Sequence, residues 1–328
     1  MASSAVGRNH EMLDVLGAGF EPETLELGSD DEGRVVATLV RHRSGHAGGR
    51  AVLYVHGLAD YFFQLHLAGF FVDQGWDFYA LDLRKHGRSL LSHQTPNFMR
   101  DVSDYFPDID RAVELIRERD GHHTLVINAH STGGLITPIW AEARKGDHVI
   151  DGLILNSPFF ELNEPWVVRR PIADAISALA PLAPRVTVKP GLDPAYVKSL
   201  HVDFGGEWNF NLAWKPVDGF PVRAAMIRAF RTAQEKVQAG LTIDVPILVG
   251  ASGLSPGAHG SAAAARTADV ILNVADIVQW SGGLGADVRV LRFEHAVHDL
   301  VLSRSDVRAR VFTAYGSWLR EVVTSQIH

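Results

Sequence analysis

The sequence predicts an α/β protein with a mostly parallel central sheet, flanking helices and an inserted, mainly helical cap. Short, continuous apolar runs recur along the chain, and amphipathic helical patterns alternate with them. Strands that are apolar on both faces are typical of a parallel sheet covered by helices on both sides. The alternation stops between residues 158 and 243 and then resumes, which indicates an insertion into one core.

The predicted strands are apolar runs of strand length that are bounded by turn residues. They are Ala51–Val55, Phe78–Leu81, Thr124–Ala129, Leu153–Leu155, Ile247–Val249 and Val288–Phe293. Arg289 and Arg292 interrupt the last of these runs, so we expect it to form an edge strand.

Two stretches have the spacing of amphipathic helices, with apolar residues at intervals of three and four. One contains Ile109, Ala112, Val113 and Ile116, and the other contains Val307, Val311, Tyr315, Trp318 and Val322. We expect both helices to pack on the sheet and to take no part in chemistry.

The predicted domain organisation is a core of residues 1–157 and 244–328 with a cap of residues 158–243. The cap region is rich in proline and aromatic residues, and the rhythm of the core is lost there. The sequence contains no internal repeat, phosphate-binding loop or dinucleotide-binding fingerprint.

Composition excludes several classes of function. The formal net charge is −7 without a basic cluster, which argues against a nucleic-acid partner. The absence of cysteine excludes disulfides, thiolate catalysis and most structural zinc sites. Residues 1–19 lack a secretory pattern, and no apolar stretch is long enough to cross a bilayer, so we expect a cytoplasmic protein without a transmembrane segment.

Ser131 is the candidate nucleophile. It lies in Ala129-His130-Ser131-Thr132-Gly133-Gly134, directly between a predicted strand and a stretch compatible with a helix. A nucleophile on such a turn needs small residues two positions before and after it, because the strand and the helix pass close together. The motif is G-x-S-x-G with alanine in the first place. A turn that only caps a helix is the structural alternative.

These residues carry a resemblance to a known family. The order His56-Gly57, then Asp82–Ser89, then the Ser131 motif resembles the α/β-hydrolase superfamily, and is most similar to its monoacylglycerol lipase and lysophospholipase-like branch, which is grouped with serine aminopeptidases. The likeness is good over residues 50–157 and looser over 245–320, and the cap matches only in position. In this resemblance, Asp82–Ser89 is a structural loop.

The resemblance also implies an oxyanion hole, a pair of backbone N–H groups that bind the negative oxygen of a tetrahedral intermediate. The family places one donor after the His-Gly turn and one after the nucleophile, which here are the N–H groups of Leu58 and Thr132. Each such donor stabilises the transition state by about 3 kcal/mol.

The general base is expected after the last strand, where both His295 and His298 occur. In the family the histidine precedes an acidic or polar residue that leads into a helix, which favours His298. Histidine is the side chain that commonly acts as a general base near neutral pH, so His298 can accept the Ser131 proton. A metal site formed by the two histidines lacks a third ligand at a suitable spacing, so we expect neither a metal nor a cofactor.

The triad acid is the least determined residue. Relatives carry it just after the strand that matches Ile247–Val249, but residues 251–267 contain no carboxylate. Asp269 follows and resembles the family's Asp-x-Val-Val segment, so it is favoured over Asp276. Glu161 and Glu164 form a third alternative, because some lipases carry the acid after the sixth strand.

The leading hypothesis is a serine hydrolase that cleaves carboxylic esters of apolar acyl groups through Ser131, His298 and Asp269. Tyr61, Phe62 and Phe63, with the apolar side chains of the cap, suggest an apolar acyl pocket.

Two alternatives remain open. One is a peptidase or amidase with the same triad, in which Glu161, Glu164 or Glu207 would bind an α-ammonium group. The other is a catalytically silent binding protein of the same fold. The sequence does not decide the substrate or whether the chain forms a homodimer.

Overall fold

The structure is a computed structural model that describes residues 16–46, 49–163, 174–256 and 263–325. Its centre is a sheet of eight strands, and two further short strands form a separate ribbon. The strands are β1 (Glu21–Asp30), β2 (Gly33–His42), β3 (Arg50–Val55), β4 (Asp77–Asp82), β5 (Thr124–His130), β6 (Gly152–Asn156), β7 (Thr187–Lys189), β8 (Val222–Arg223), β9 (Ile247–Ser252) and β10 (Val288–Phe293).

The helices lie between these strands along the chain. They are α1 (Leu65–Asp73), α2 (Phe106–Glu114), α3 (Gly133–Ala143), α4 (Pro194–Leu200), α5 (Ala224–Ala239), α6 (Val274–Ser281) and α7 (Ser305–Ser325). Residues 174–179 are also helical. Within the described ranges, no helix combines the length and the apolarity needed to cross a membrane.

The order of the large sheet is β1-β2-β4-β3-β5-β6-β9-β10. The six strands from β4 to β10 in this order are parallel, and β2 and β1 add an antiparallel hairpin. The predicted parallel sheet flanked by helices is therefore confirmed, and β10 is the edge strand that its arginines indicated. The hairpin was not predicted: β1 is charged and almost wholly exposed, and the buried apolar residues 35–40 of β2 were not identified as a strand.

Two apolar layers explain why the central strands are apolar without alternation. Val52 and Tyr54 of β3 pack with α1 and α7 on one face, whereas Leu53 and Val55 pack with α2, α3 and α5 on the other. Successive side chains of a strand point to opposite faces, so a strand covered on both sides must be apolar at every position. The described residues between β6 and β9 contain α4, α5 and the β7–β8 ribbon.

The turn between β5 and α3 is sterically tight. Ser131 has φ of +52°, in the left-handed region that side chains other than glycine rarely adopt. A Cβ atom on Gly133 would lie only 2.5 Å from the His56 carbonyl oxygen and 2.7 Å from that of Val55. The helix can therefore begin this close to β3 only because position 133 has no side chain.

Substitution of Gly133 by alanine should destabilise the protein by about 3 kcal/mol, because backbone atoms would have to move apart. Gly69→Ala is the matched control, since a Cβ at Gly69 within α1 meets nothing within 4 Å. Alanine is the better helix former, so we expect Gly69→Ala to stabilise by about 0.5–1 kcal/mol. Urea unfolding of both variants measures the difference, and equal stabilities would contradict the steric argument.

Candidate active site

Ser131, His298 and Asp269 form a continuous hydrogen-bonded line. The Ser131 hydroxyl lies 3.0 Å from Nε2 of His298, and Nδ1 of His298 lies 2.9 Å from Oδ2 of Asp269. The side chain of Asp269 is fully buried, and His298 and Ser131 are 3% and 8% exposed. The structure thus brings together the three residues that sequence analysis selected, although they are far apart along the chain.

Ser131 is held by the neighbouring strand β6. Its N–H group donates to the carbonyl oxygen of Asn156 at 3.0 Å, and its own carbonyl oxygen accepts from the N–H group of Phe159 at 3.0 Å. These two bonds fix the main chain on either side of the strained residue. The Ser131 side chain is consequently presented from the end of β5 toward His298.

Asp269 is fixed by its own loop. One carboxylate oxygen, Oδ1, accepts hydrogen bonds from the N–H groups of Ile271 at 2.9 Å and Leu272 at 2.8 Å. The Asp269 N–H group donates to the carbonyl oxygen of Leu254, close to the end of β9. The second oxygen, Oδ2, is thereby directed at His298, even though the chain makes a long detour after β9.

His298 lies in a short segment between β10 and α7, residues 296–302. The next residue, Asp299, is buried and points away from the triad, where its carboxylate accepts from Asn156 Nδ2 at 2.7 Å and Gln64 Nε2 at 3.2 Å. The Leu300 N–H group donates to Oδ1 of Asn156 at 3.1 Å. Asn156 and Gln64 were missed in the sequence, where no local pattern distinguishes them from other polar residues.

Burial alone raises the pKa of the Asp299 carboxyl, but the nearby His130 ring and the amides of Asn156 and Gln64 lower it below its usual value overall. Asp299 is therefore a carboxylate at neutral pH. The ring of His130 lies 4.8 Å from that of His298, and burial lowers the pKa of His130. His130 is accordingly neutral, so it does not add a positive charge beside the candidate base.

The other sequence candidates lie elsewhere. His295 is exposed in a turn with φ of +64°. Asp276 is half-buried in the first turn of α6, and neither residue lines the cavity beside Ser131. Within the described ranges there is no group of three or more histidine or acidic side chains suited to a metal ion.

Two of the three acidic residues proposed as ligands of an α-ammonium group, Glu161 and Glu207, are engaged in ion pairs. Glu161 is buried and lies 3.1 Å from Arg231, and Glu207 lies 3.1 Å from Arg308 at the surface. Glu164 lies outside the residues that the structure describes.

The Asp82–Ser89 loop makes structural contacts. Arg88 donates to Asp82 at 2.7 Å and to the Phe62 carbonyl oxygen at 3.0 Å, and His86 is buried beside His56. None of these side chains lines the cavity beside Ser131.

A cavity of about 570 Å³ opens beside the Ser131 hydroxyl. Leu58 and Thr132 line it next to Ser131, and in the described part of the chain neither of their N–H groups has a hydrogen-bond acceptor. Most of the remaining wall is apolar. The apolar lining includes Phe159, Leu162, Ile176, Val188, Leu192, Tyr196, Val197, Val222, Ile227, Phe230, Val270, Ile271 and Leu272.

The aromatic residues singled out in the sequence do not form this wall. Tyr61 and Phe63 are buried in a cluster with Phe210, and Phe62 packs against Phe78 in the core. The predicted apolar pocket is present, but other residues line it, mainly from the insertion between β6 and β9. Aromatic content therefore indicated burial and not the pocket.

One charged pair lies in the cavity wall. Lys215 Nζ is 2.8 Å from Oδ1 of Asp60, and both side chains are almost fully buried. Asp60 follows the turn that carries Leu58, so the pair connects the insertion to that turn. The two charges neutralise each other and leave the wall without net charge at this point.

Comparisons with known proteins agree with this architecture. The structure is similar to a soluble variant of monoglyceride lipase from Saccharomyces cerevisiae, with a TM-score of 0.69 and 20% identity over 92% of this chain and 96% of that one. It is also similar to the monoacylglycerol lipase of Paleococcus ferrophilus, with a TM-score of 0.63 and 18% identity over 92% and 99% of the two chains.

A thermostable carboxyl esterase from Bacillus coagulans gives a TM-score of 0.64 and 15% identity over 92% of this chain and 99% of that one. At these identities the likeness shows the α/β-hydrolase fold. No curated protein matches the sequence.

A family model described as serine aminopeptidase, S33 (Hydrolase_4) matches residues 48–254. This segment contains the turn that carries Leu58 and the whole β5–Ser131–α3 unit, and it ends just after β9. The match spans more than half of the sequence and confirms the resemblance seen there, so the chain belongs to the serine aminopeptidase S33 family of α/β-hydrolases.

Proposed function

We propose that this protein is a serine hydrolase that cleaves carboxylic esters of apolar acyl groups, with Ser131 as nucleophile, His298 as general base and Asp269 as triad acid. The observation that carries the proposal is the hydrogen-bonded line from Ser131 through His298 to Asp269 at the wall of a largely apolar cavity. This arrangement meets the geometric requirement for an activated serine.

The acylation step follows from the hydrogen bonds. Nε2 of His298 accepts the proton of the Ser131 hydroxyl while Oγ attacks the ester carbonyl carbon, and the Asp269 carboxylate stabilises the resulting imidazolium. The imidazolium then gives its proton to the departing alcohol oxygen as the carbon–oxygen bond of the ester breaks. An acyl group remains bound to Ser131.

Deacylation repeats the same proton transfers with water. A water molecule attacks the acyl carbon while His298 takes one of its protons. His298 then returns this proton to the Ser131 oxygen as the acid leaves. In both steps the carbonyl oxygen becomes negative, and the N–H groups of Leu58 and Thr132 are the proposed donors for it. Both residues line the cavity beside Ser131 with their N–H groups free of intramolecular acceptors in the described part of the chain.

The charges of the cavity favour an ester over a peptide with a free amino terminus. An α-ammonium group needs an unneutralised carboxylate in the binding site. Among the described lining residues, Asp60 is paired with Lys215, and Asp193 is exposed at the start of α4, where solvent screens its charge. The names of similar structures, monoglyceride lipase and carboxyl esterase, point the same way.

We also propose that residues 158–243 act as the cap of the enzyme over a core of residues 1–157 and 244–328. Side chains from this insertion supply much of the apolar wall, including Ile176, Leu192 and Phe230. An acyl chain bound against these side chains, next to Ser131, would be shielded from water.

Labelling with a fluorophosphonate probe tests the nucleophile. The expected result is a single adduct on Ser131, found by intact mass and peptide mapping, which is lost in Ser131→Ala. Ser157→Ala is the matched control, because Ser157 also follows a central strand with positive φ and is buried, but its hydroxyl has no hydrogen-bond partner among the residues that the structure describes. This control should label as the wild type does, and a wild type that does not label would contradict the proposed function.

A substrate series tests the reaction class. We expect p-nitrophenyl esters of increasing acyl length to be hydrolysed, because the cavity wall is apolar, and aminoacyl anilides to be hydrolysed far more slowly. The measurement is kcat/KM for both series with the same preparation. Faster cleavage of the anilides would favour the peptidase.

Substitution of the two candidate acids identifies the triad acid. Asp269→Asn should lower kcat by about 10³–10⁴-fold, because an amide cannot stabilise the imidazolium and favours the wrong tautomer of His298. Asp276→Asn, in α6 and outside the cavity lining, should leave kcat within about twofold. A larger loss in Asp276→Asn than in Asp269→Asn would reverse the assignment.

The pH dependence of kcat/KM tests the general base. The rate should fall as the pH is lowered into the acid range, because a protonated imidazole cannot accept the Ser131 proton. The neighbouring His130 does not cause this fall, since burial lowers its pKa and keeps it neutral to lower pH. A flat profile between pH 5 and 8 would argue against His298 as the base.

A further inference from the structure

Helix α4 of the insertion lies directly against the segment that carries His298. Its residue Tyr196 is buried, and the hydroxyl oxygen of Tyr196 accepts a hydrogen bond of 2.8 Å from the N–H group of Asp299. The ring of Tyr196 stands at 78° to the imidazole of His298, with the ring centres 5.6 Å apart. One side chain therefore contacts both the candidate base and the peptide group that follows it.

The segment around His298 is neither strand nor regular α-helix at that residue, so hydrogen bonds from other elements hold it in addition to its own turns. On either side of His298, Ser252 Oγ donates to the Ala296 carbonyl oxygen at 2.7 Å and a ring nitrogen of His66 lies 2.7 Å from the Val301 carbonyl oxygen. From the core side, Asn156 and Gln64 hold the Asp299 carboxylate. From the insertion side, the restraints are the Tyr196 hydroxyl and the Trp208 indole, whose Nε1 donates to the Leu302 carbonyl oxygen at 2.9 Å. Only Tyr196 of these residues also touches the imidazole ring.

We propose that Tyr196 is a positioning residue for His298, supplied by the insertion between β6 and β9. It anchors the Asp299 N–H group through its hydroxyl and limits the tilt of the imidazole through its ring, so that Nδ1 stays on Asp269 and Nε2 stays on Ser131. This inference rests on the proposed function, since it assigns a role within the same triad.

The hydroxyl keeps this role across the working pH range. Burial raises the pKa of Tyr196 well above its ordinary value, and the nearby Asp299 carboxylate adds to the effect. The hydroxyl therefore stays protonated and neutral. It accepts the Asp299 N–H group through an oxygen lone pair and adds no charge beside the imidazole.

The titratable groups that face His298 come from three elements and from its own segment. Asp269 accepts from its Nδ1, His130 lies beside its ring, and Tyr196 covers another side of it. Asp299 belongs to the same segment but its carboxylate is bound to Asn156 and Gln64. Among these groups, only the Asp269 contact directly stabilises a proton on His298, so a change in that contact will appear in the pH profile.

Tyr196→Phe removes the hydroxyl and keeps the ring in the cavity wall. The Asp299 N–H group then lacks its acceptor, and the His298 segment gains freedom. We expect kcat to fall about tenfold while KM stays within about twofold. Because a loosened Asp269 contact stabilises the imidazolium less, the acid limb of the rate profile should move to lower pH by roughly half a unit.

The rate of Ser131 phosphonylation by a fluorophosphonate, measured between pH 5 and 8, reports this shift without knowledge of the natural substrate. Tyr61→Phe is the matched control. Its hydroxyl also joins the core to the insertion, because it accepts the main-chain N–H group of Asn211 at 2.7 Å. Tyr61 neither contacts His298 nor lines the cavity. Tyr61→Phe should keep the acid limb where the wild type has it.

The outcomes separate the two proposals. A wild type that is not phosphonylated would overturn the proposed function and this inference with it. A wild type that reacts normally, with Tyr196→Phe showing the same rate and the same acid limb, would overturn only the role of Tyr196. A change in KM alone would also overturn it, because it would indicate contact with the substrate and not positioning of His298.

Hydrogen exchange of the unmodified protein gives a test that does not depend on the folding of a variant. The Asp299 amide should exchange slowly, because its hydrogen is bound to a buried hydroxyl. Exchange at the rate of an exposed amide would overturn the inference.

Discussion

The candidate site depends on Asn156, the last residue of β6. Its carbonyl oxygen accepts the N–H group of Ser131, and its side chain binds both the Asp299 carboxylate and the Leu300 N–H group. Ser131 and His298 are 167 positions apart in the sequence, yet both segments are bonded to this residue. Asn156 is fully buried, where an unpaired polar group is costly, so the two segments cannot easily move independently. The alignment of Ser131 with His298 is thus built into the centre of the sheet.

A second constraint is that the two carboxylates near His298, those of Asp269 and Asp299, have different hydrogen-bond partners. Asp299 adjoins His298 in the sequence but faces the core, where amide donors satisfy it. Asp269 reaches the imidazole from a distant loop, and its other oxygen is occupied by main-chain N–H groups. Each carboxylate therefore has its own set of donors. Among the described residues, Nδ1 of His298 has one acidic partner, Asp269, which fixes the tautomer required for Nε2 to accept a proton.

Features that depend on neighbouring residues in the sequence could be predicted, whereas features that depend on contacts between distant residues could not. The central strands and the Ser131 turn depend on local patterns, an apolar run followed by small residues, and were predicted from the sequence. The outer strand β1 of the hairpin is charged and exposed and has no apolar pattern, whereas β2 contains a buried, mostly apolar run at residues 35–40 that the strand prediction did not include. Asn156, Gln64 and Tyr196 act through contacts with residues distant in sequence, and nothing in their immediate neighbours marks them. The aromatic run after Asp60 indicated burial correctly but misidentified the cavity wall.

The two halves of the insertion are held to the core in different ways. The half that contains α4 is joined by buried hydrogen bonds and by the Asp60–Lys215 pair to the segments around Ser131 and His298. The part around β7 contacts the tip of the β1–β2 hairpin through Arg185, which pairs with the exposed Asp31 and the largely buried Glu32 and lies over the Phe98 ring. Exposed ion pairs contribute little to stability and are screened by salt. The hairpin thus contacts the insertion through charged and aromatic side chains near the surface, whereas the part next to His298 is joined to the core by buried hydrogen bonds.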